Sequence, residues 1–402
     1  MVYTVNRSTA AVLDKLSKAP RIGSLGLQFS RGWDESIDRK KGMFDSEWGV
    51  PESWDSVILQ GPHLHVANPF YKQPNPTMLH NQDWTAVDLE ALPPDAIPAT
   101  SYKPRGDRAE YDAAYTHWQA EPEGSVSARR RYRVAWRKMA ANTGERTLIS
   151  AVIPPGAAHI DGVFSVTPVS DDLVKLVDVS LQLASLTSDL VVRAAPKANI
   201  RATTVERIPA IESGHPLWPE LRLRYLRLTC VSAAFAPLWE AVYEASFASD
   251  RWTATPDRVT VNLGDVTDSW TAATPLRRAV DRRQAALEID ALTAVALGIT
   301  ADELATVYRT QFPVLAGYDR TQYAFDRRGR QVPPSVLSHW RKRGGGDDSE
   351  QFDPTDLHAT HPGSGVEYRY ELPFTVLDRA GDLRVAHSEF QRRLASRTEN
   401  SA

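Results

Sequence analysis

The chain has 402 residues, with 47 Lys and Arg against 50 Asp and Glu and a formal net charge of -3. That length predicts two or three domains, and the near-balance of charge excludes a uniformly basic nucleic-acid or membrane-surface protein, so that any electrostatic argument must rest on local clusters. A single cysteine, Cys230, excludes an intramolecular disulfide framework and cysteine-cluster zinc sites.

From the N-terminus, Met1 to Pro20 lacks a continuous apolar core and no later run approaches membrane-spanning length, which predicts a cytoplasmic protein with no membrane part. Ser8 to Leu16 predicts a short helix, with Ala11, Leu13 and Leu16 on one face. Gly23 to Gly26 is a poor cofactor loop, since only Arg21-Ile22 precedes it where a strand is needed. Ser53 to Leu59 reads as a strand, while prolines at 74–76, 93–94 and 98–104 make residues 1–124 rich in loops. His63 and His65 alternate along an expected strand, with His80 and Asp83 downstream. That set suits a metal site, but a strand carrying two hydrogen-bonded histidines has the same spacing, and this plainer reading is preferred. Asn68-Pro69-Phe70-Tyr71 is a turn.

The most informative stretch runs from Ala128 to Pro155. Arg131 to Trp136 alternates cationic with apolar or aromatic residues, and Leu148 to Ile153 is an apolar run stopped by Pro154-Pro155-Gly156, so both read as strands around a loop at 142–146. Arg129, Arg130, Arg131, Arg133, Arg137, Lys138 and Arg146 place seven cations along this ribbon. A phosphate backbone favours such a cluster through counterion release, although arginines on an exposed strand face also serve simply as solvated or carboxylate-paired groups.

Further strands are expected near 162–166 and 204–208, and a helix from about 171 to 190 with Leu173, Leu176, Val177, Leu181 and Ala184 as its core stripe. Residues 220–310 read as mostly helical, with Cys230 a buried reduced thiol. Pro275 to Ala296 predicts a long helix whose Arg277, Arg278, Arg282 and Arg283, offset by Asp281, Glu288 and Asp290, form a solvated face. Ser335 to Arg343 is basic, and Gly344 to Asp348 reads as a flexible hinge. His387 with Asp378 and Asp382 has the composition of an acid–base set, but no nucleophile has a supporting motif.

Several passages together resemble the C-terminal, sequence-recognising half of the large Eco57I-type N6-adenine DNA methyltransferases, a group that includes type IIG restriction-modification enzymes and phage-defence methylases. They are, in order, Arg137 through Glu145-Arg-Thr-Leu-Ile to Pro154-Pro-Gly156; Leu186-Thr-Ser-Asp-Leu-Val-Val-Arg193; Val205 to Pro209; and Arg222-Leu-Arg-Tyr-Leu-Arg-Leu-Thr-Cys230. Glu288 to Leu292, Leu297 to Thr300, Tyr308 to Leu315, Tyr323 to Arg330 and the closing Pro373-Phe374, Asp378-Arg379, His387 and Phe390 continue the series. The shared order extends over about 200 residues.

The resemblance implies an α+β protein: a loop-rich N-terminal region (1–124) able to pack on a methyltransferase core, a mixed-sheet target-recognition domain (125–219), a mainly helical domain (220–343), and a hinge with a helical tail (344–402). It also implies double-stranded DNA as partner, read by the seven ribbon cations. The family's catalytic half needs a glycine-containing loop for S-adenosylmethionine and an Asn-Pro-Pro-aromatic loop for the flipped adenine, and neither is found here. The expectation is therefore a non-catalytic DNA-recognition subunit, with no cofactor of its own, serving a separate methyltransferase chain that binds S-adenosylmethionine. Two alternatives remain: a scaffold protein of a defence complex without DNA affinity, or a metal-dependent enzyme around His63, His65 and Asp83.

Overall fold

The computed structural model describes residues 6–120, 124–141, 143–195, 197–346 and 352–401. Asn142 of the expected loop, and Asp347 and Asp348 of the expected hinge, lie outside the described residues. The fold is α+β. Its main sheet is antiparallel, in the order β1 (Leu27–Ser30), β4 (Val163–Pro168), β2 (Arg133–Arg137), β3 (Ser150–Ile153). Ala135 lies opposite Ala151 on one side and Ser165 on the other.

Side chains alternate across a strand. Val134, Trp136, Val152 and Val166 therefore face the helices, while Ala135, Ala151, Ile153 and Val163 face Val57, Leu59 and Leu64 of the N-terminal region. All eight are fully buried. Antiparallel sheets commonly leave one face in water; this one is covered on both, and that decides the fate of the ribbon's charges.

Helix starts follow the local chemistry. Helix α1 (Arg7–Lys18) begins where Asn6 accepts the Thr9 amide at 2.7 Å. The single helix expected over 171–190 is two, α2 (Leu173–Leu183) and α3 (Leu186–Ala194), because Ser185 turns its hydroxyl to the Ser188 amide and caps a new start. Then come α4 (Trp218–Thr229), α5 (Ala279–Ala296), α6 (Ala301–Gln311, opened by a Thr300/Glu303 capping box), α7 (Pro313–Thr321) and the long terminal α8 (Arg379–Ser401). The strand expected near 204–208 is instead a helical turn, Ala202–Val205. The nearby pairing is one isolated bridge between Arg21 and Pro209, and a proline has no N–H to extend a ladder. Only Ile58–Leu59 of the expected 53–59 strand pairs as a strand, since Trp54–Ser56 forms a 3-10 turn.

The helix expected to present a solvated face is central. Helix α5 packs against α4 and α8, and Asp281, Arg283, Gln284, Glu288 and Asp290 are all buried. Charge pattern misleads here because every one of these groups meets a partner from elsewhere in the chain. Glu288 receives Arg224 of α4 together with the Thr253 amide and hydroxyl; Arg283 reaches Asp382 of α8 at 2.9 Å; Asp281 takes the Thr260 amide. Arg224, itself fully buried, also donates to Asp250 at 2.5 Å.

One apolar cluster runs from Val12 and Phe70 through Val134, Leu226 and Leu292 to Phe390, crossing all the boundaries expected at 124, 219 and 343. A smaller cluster, including Val332, Val336 and Phe374, sits under the segment after α7. Cys230, at the end of α4, is fully buried, and burial pushes its thiol well above the ordinary range. Among the described residues no helix is long and apolar enough to cross a membrane.

Removing one member of a buried ion pair strands the other charge, at a cost of about 3–5 kcal/mol, whereas an exposed pair contributes about 0.5 kcal/mol or less. Glu288→Ala is accordingly expected to lower unfolding free energy in urea by several kcal/mol, and Lys18→Ala, which breaks an exposed pair with Asp14, to leave the midpoint almost unmoved.

Candidate functional site

The structure places the seven ribbon cations unequally. Arg129 is buried, donating to the Gly156 carbonyl, the Asp55 carbonyl and Asp112, with its guanidinium 4.7 Å from the Tyr111 ring. Arg133 is wholly buried, on the carbonyls of Ala157 and Arg131. Arg131 is buried beside Asp171, and Arg146 is buried on Asp189 at 2.8 Å and the Ala184 carbonyl. These four do not reach a phosphate or a base edge in this conformation. The expectation of an exposed arginine ribbon is corrected for them: both faces of the sheet are covered, and the guanidinium groups serve to satisfy carbonyls that the covering layers leave without partners.

Three remain at the surface. Arg130 is 52% exposed and pairs with Asp112 at 2.7 Å. Arg137 is half-buried, donating twice to the Leu64 carbonyl. Lys138 pairs with Asp161 at 2.8 Å. Arg137 lines an open cleft of about 530 Å3 together with Trp84, Tyr102, Met139 and His80. Exposed Arg31 and half-buried Lys138 both act on the Asp34 carboxylate, and exposed Arg39, Lys40 and Lys41 follow on and just after the adjacent Ile37–Lys40 helical turn. Among the described residues Arg31, Arg39 and Lys40 have no ion-pair partner. Sequence reasoning passed over this group, although the run Asp38-Arg-Lys-Lys41 was a visible signal of it.

Several acidic residues in and beside the family-like passages are held by partners from elsewhere in the chain. Asp189 of α3 accepts from Arg146, Arg193 and the Thr147 amide. Asp290 of α5 accepts the Leu186 amide at 2.7 Å, capping α3 from a neighbouring helix. Asp319 of α7 takes Tyr308 at 2.8 Å and Arg379 of α8 at 2.6 Å. Glu145 binds His65 at 3.1 Å and Tyr323 at 2.6 Å. Burial pushes the Asp290 carboxyl up to about 6 against the pull of Arg146. At Glu145 burial pushes the same way, but hydrogen bonds and charge from His65, with Tyr323, outweigh it and hold the carboxyl at about 2.

The histidine readings resolve structurally. His63 lies in a 3-10 turn, Gly61–His63, and not on a strand, because Pro62 opens that turn. It is fully buried, its Nε2 lies 2.9 Å from the Ala99 carbonyl, and burial lowers it to about 4 despite that contact. His65 is taken by Glu145, and Asp83 by Asn75, Thr77 and the Leu79 amide. The alternative metal set of His63, His65 and Asp83 therefore does not converge, and no group of three or more His, Cys, Asp or Glu is placed to hold a metal ion among the described residues. His387 is buried on the Ile299 carbonyl at 2.7 Å, while Asp382 is held by Arg258 and Arg283. His387 and Asp382 are thus engaged by different partners.

Arg133→Ala is expected to cost about 2–3 kcal/mol in urea unfolding by leaving buried carbonyls unsatisfied, and Arg130→Ala no more than about 1 kcal/mol. Asp290 and Glu145 predict opposite pH dependences. Asp290, raised from 3.8 to about 6, binds its proton more tightly when folded, so its contribution is full below pH 3.8 and is lost as pH rises through 6, on the order of 3 kcal/mol. Glu145, lowered from 4.5 to about 2, contributes fully above pH 4.5 and loses that as pH falls through 2. Asp290→Asn should flatten stability between pH 4 and 6 and leave the more acidic limb in place, as followed by urea midpoints across pH; parallel curves would contradict the assignment. No family model and no curated protein sequence matches this chain.

Proposed function

We propose that this chain is a DNA-recognition subunit, or the separately encoded recognition half, of an adenine-N6 DNA methyltransferase acting in restriction-modification or phage defence. The observation that carries the reading is the ordered series of passages resembling that family. Within those passages Arg146 pairs with Asp189 and Arg224 with Glu288, and Asp290 accepts the Leu186 amide at the start of α3, which gives those residue types a physical reason to occur together. With neither a donor-binding loop nor an Asn-Pro-Pro-aromatic loop in the sequence, methyl transfer and base flipping belong to a partner chain that binds S-adenosylmethionine.

The DNA-facing role moves from the buried arginines to Arg31, Arg39, Lys40 and Lys41, with Lys138 and the cleft beside Arg137. Their cations supply phosphate contacts, which position a protein on the duplex without reading its sequence. The burial of Arg129, Arg131, Arg133 and Arg146 favours one second reading, a scaffold protein of a defence complex that lacks DNA affinity.

Each phosphate contact contributes about 0.9 to the slope of log affinity against log salt. An Arg31→Ala, Arg39→Ala, Lys40→Ala triple variant is expected to bind duplex DNA more weakly, with a slope shallower by about 2–3, and to keep its urea midpoint. Unchanged affinity and slope would remove this surface from the account, and absence of any salt-dependent DNA binding by the wild type, alone and with its methyltransferase partner, would favour the scaffold.

A further inference from the structure

A second cavity, of about 430 Å3, opens where the N-terminal region, α5, α8 and the segment after α7 converge. Its size falls within the range of small-molecule sites, roughly 300–1,000 Å3. Three arginines of one short stretch line it: Arg277, Arg282 and Arg283. Arg277 gives one hydrogen bond, to the Leu89 carbonyl at 3.1 Å, and Arg282 gives two, to the carbonyls of Leu228 and Leu276 at 3.0 Å. Neither has a carboxylate partner among the described residues. Arg283 is 8% exposed; it reaches Asp382, but its Nε has no partner.

The carboxylates that line the same cavity are committed elsewhere. Glu90 is held by Arg278 and Arg330, Glu145 by His65 and Tyr323, and Asp88 by the hydroxyls of Ser364 and Tyr368. Asp290 accepts the Leu186 amide. The positive end of α5 adds to the imbalance, since Ala279, its first residue, also lines the cavity. Asp281, the acidic residue of that first turn, is engaged by Thr260 instead. Guanidinium groups held together without a counter-charge are costly to bury, and a bound anion removes that cost.

The rest of the wall is aromatic and apolar, including Tyr71, Tyr323, Phe325, Tyr370, Leu315 and Ala286. A bare inorganic anion would leave this surface in contact with water. An anion esterified to a planar ring covers both halves, with the dianionic group on the arginines and the ring against the tyrosines. We infer that the cavity is a binding site for an organic phosphate of the nucleoside monophosphate class, held by Arg277 and Arg282 with Arg283 behind them. This site is separate from the proposed DNA surface and does not depend on it.

Calorimetric titration of the full chain with adenosine monophosphate, adenosine and inorganic phosphate tests the assignment. Saturable binding of the monophosphate is expected, at least about tenfold tighter than either fragment, with Arg277→Gln and Arg282→Gln each weakening it about tenfold or more. Arg277→Gln breaks a single hydrogen bond and is expected to fold even if Arg282→Gln does not. Ala286→Phe, which fills the cavity without removing a charge, should abolish binding. The assignment is overturned if the monophosphate does not bind, if it binds no tighter than inorganic phosphate, or if its affinity survives both Arg277→Gln and Ala286→Phe.

Discussion

The interaction on which the rest of the structure depends is the burial of arginine. Guanidinium is planar, permanently charged and carries five donors in a fixed fork, so it can hold carbonyls and carboxylates from several elements at once. Arg224 does this completely: with no exposure at all, it connects α4 to Glu288 of α5 and to Asp250, and also takes the carbonyls of Glu220 and Arg251. Arg146 and Arg193 converge on one carboxylate, Asp189. Arg379 joins the start of α8 to Asp319 of α7. A network of this kind does not add much to net stability over a well-packed apolar core, because desolvation offsets attraction. Its hydrogen-bond directions do constrain which helix faces meet.

That constraint explains how α5 can be charged and central at once. Its apolar residues alone would not specify its rotation, since buried positions run around most of the helix. Glu288 toward Arg224, Arg283 toward Asp382 and Asp290 toward the start of α3 fix it in three directions. The same geometry leaves Arg277 and Arg282 facing a cavity with no carboxylate of their own. The cavity is thus a by-product of how α5 is held, and its charge follows from the same excess of buried arginine.

The legible part of the fold was the part carried by apolar periodicity. The strands around 133–137, 150–153 and 163–168 and the presence of the first helix follow from local pattern, although that helix buries Thr9, Val12 and Leu16 and leaves Ala11 exposed. What failed was the inference from charge to surface. Alternation of arginine with Val134 and Trp136 describes a half-exposed strand equally well as one covered on both sides, and only the packing of Val57, Leu59 and Leu64 on the far face distinguishes them. Asp281, Arg283, Glu288 and Asp290 read as solvated for the same reason: the distant partners that hold them lie 21, 99, 64 and 104 residues away, beyond any local window. The exposed cations at 31 and 39–41 were legible as a run, but the denser ribbon downstream drew the reading away from them.

The central proposal is that the buried arginines serve as braces and that a small exposed set, with Arg31 and Arg39 in it, faces DNA. Arginine-selective chemical modification of the native chain, mapped by mass spectrometry with and without duplex DNA, tests it most directly. The account predicts that Arg31, Arg39 and Arg130 react in the free protein, that Arg31 and Arg39 become protected when DNA is bound, and that Arg129, Arg133, Arg146 and Arg224 stay unmodified in both states. Ready modification of Arg131 and Arg133 in the free protein, with protection by DNA, would contradict it and restore the ribbon as the recognition surface.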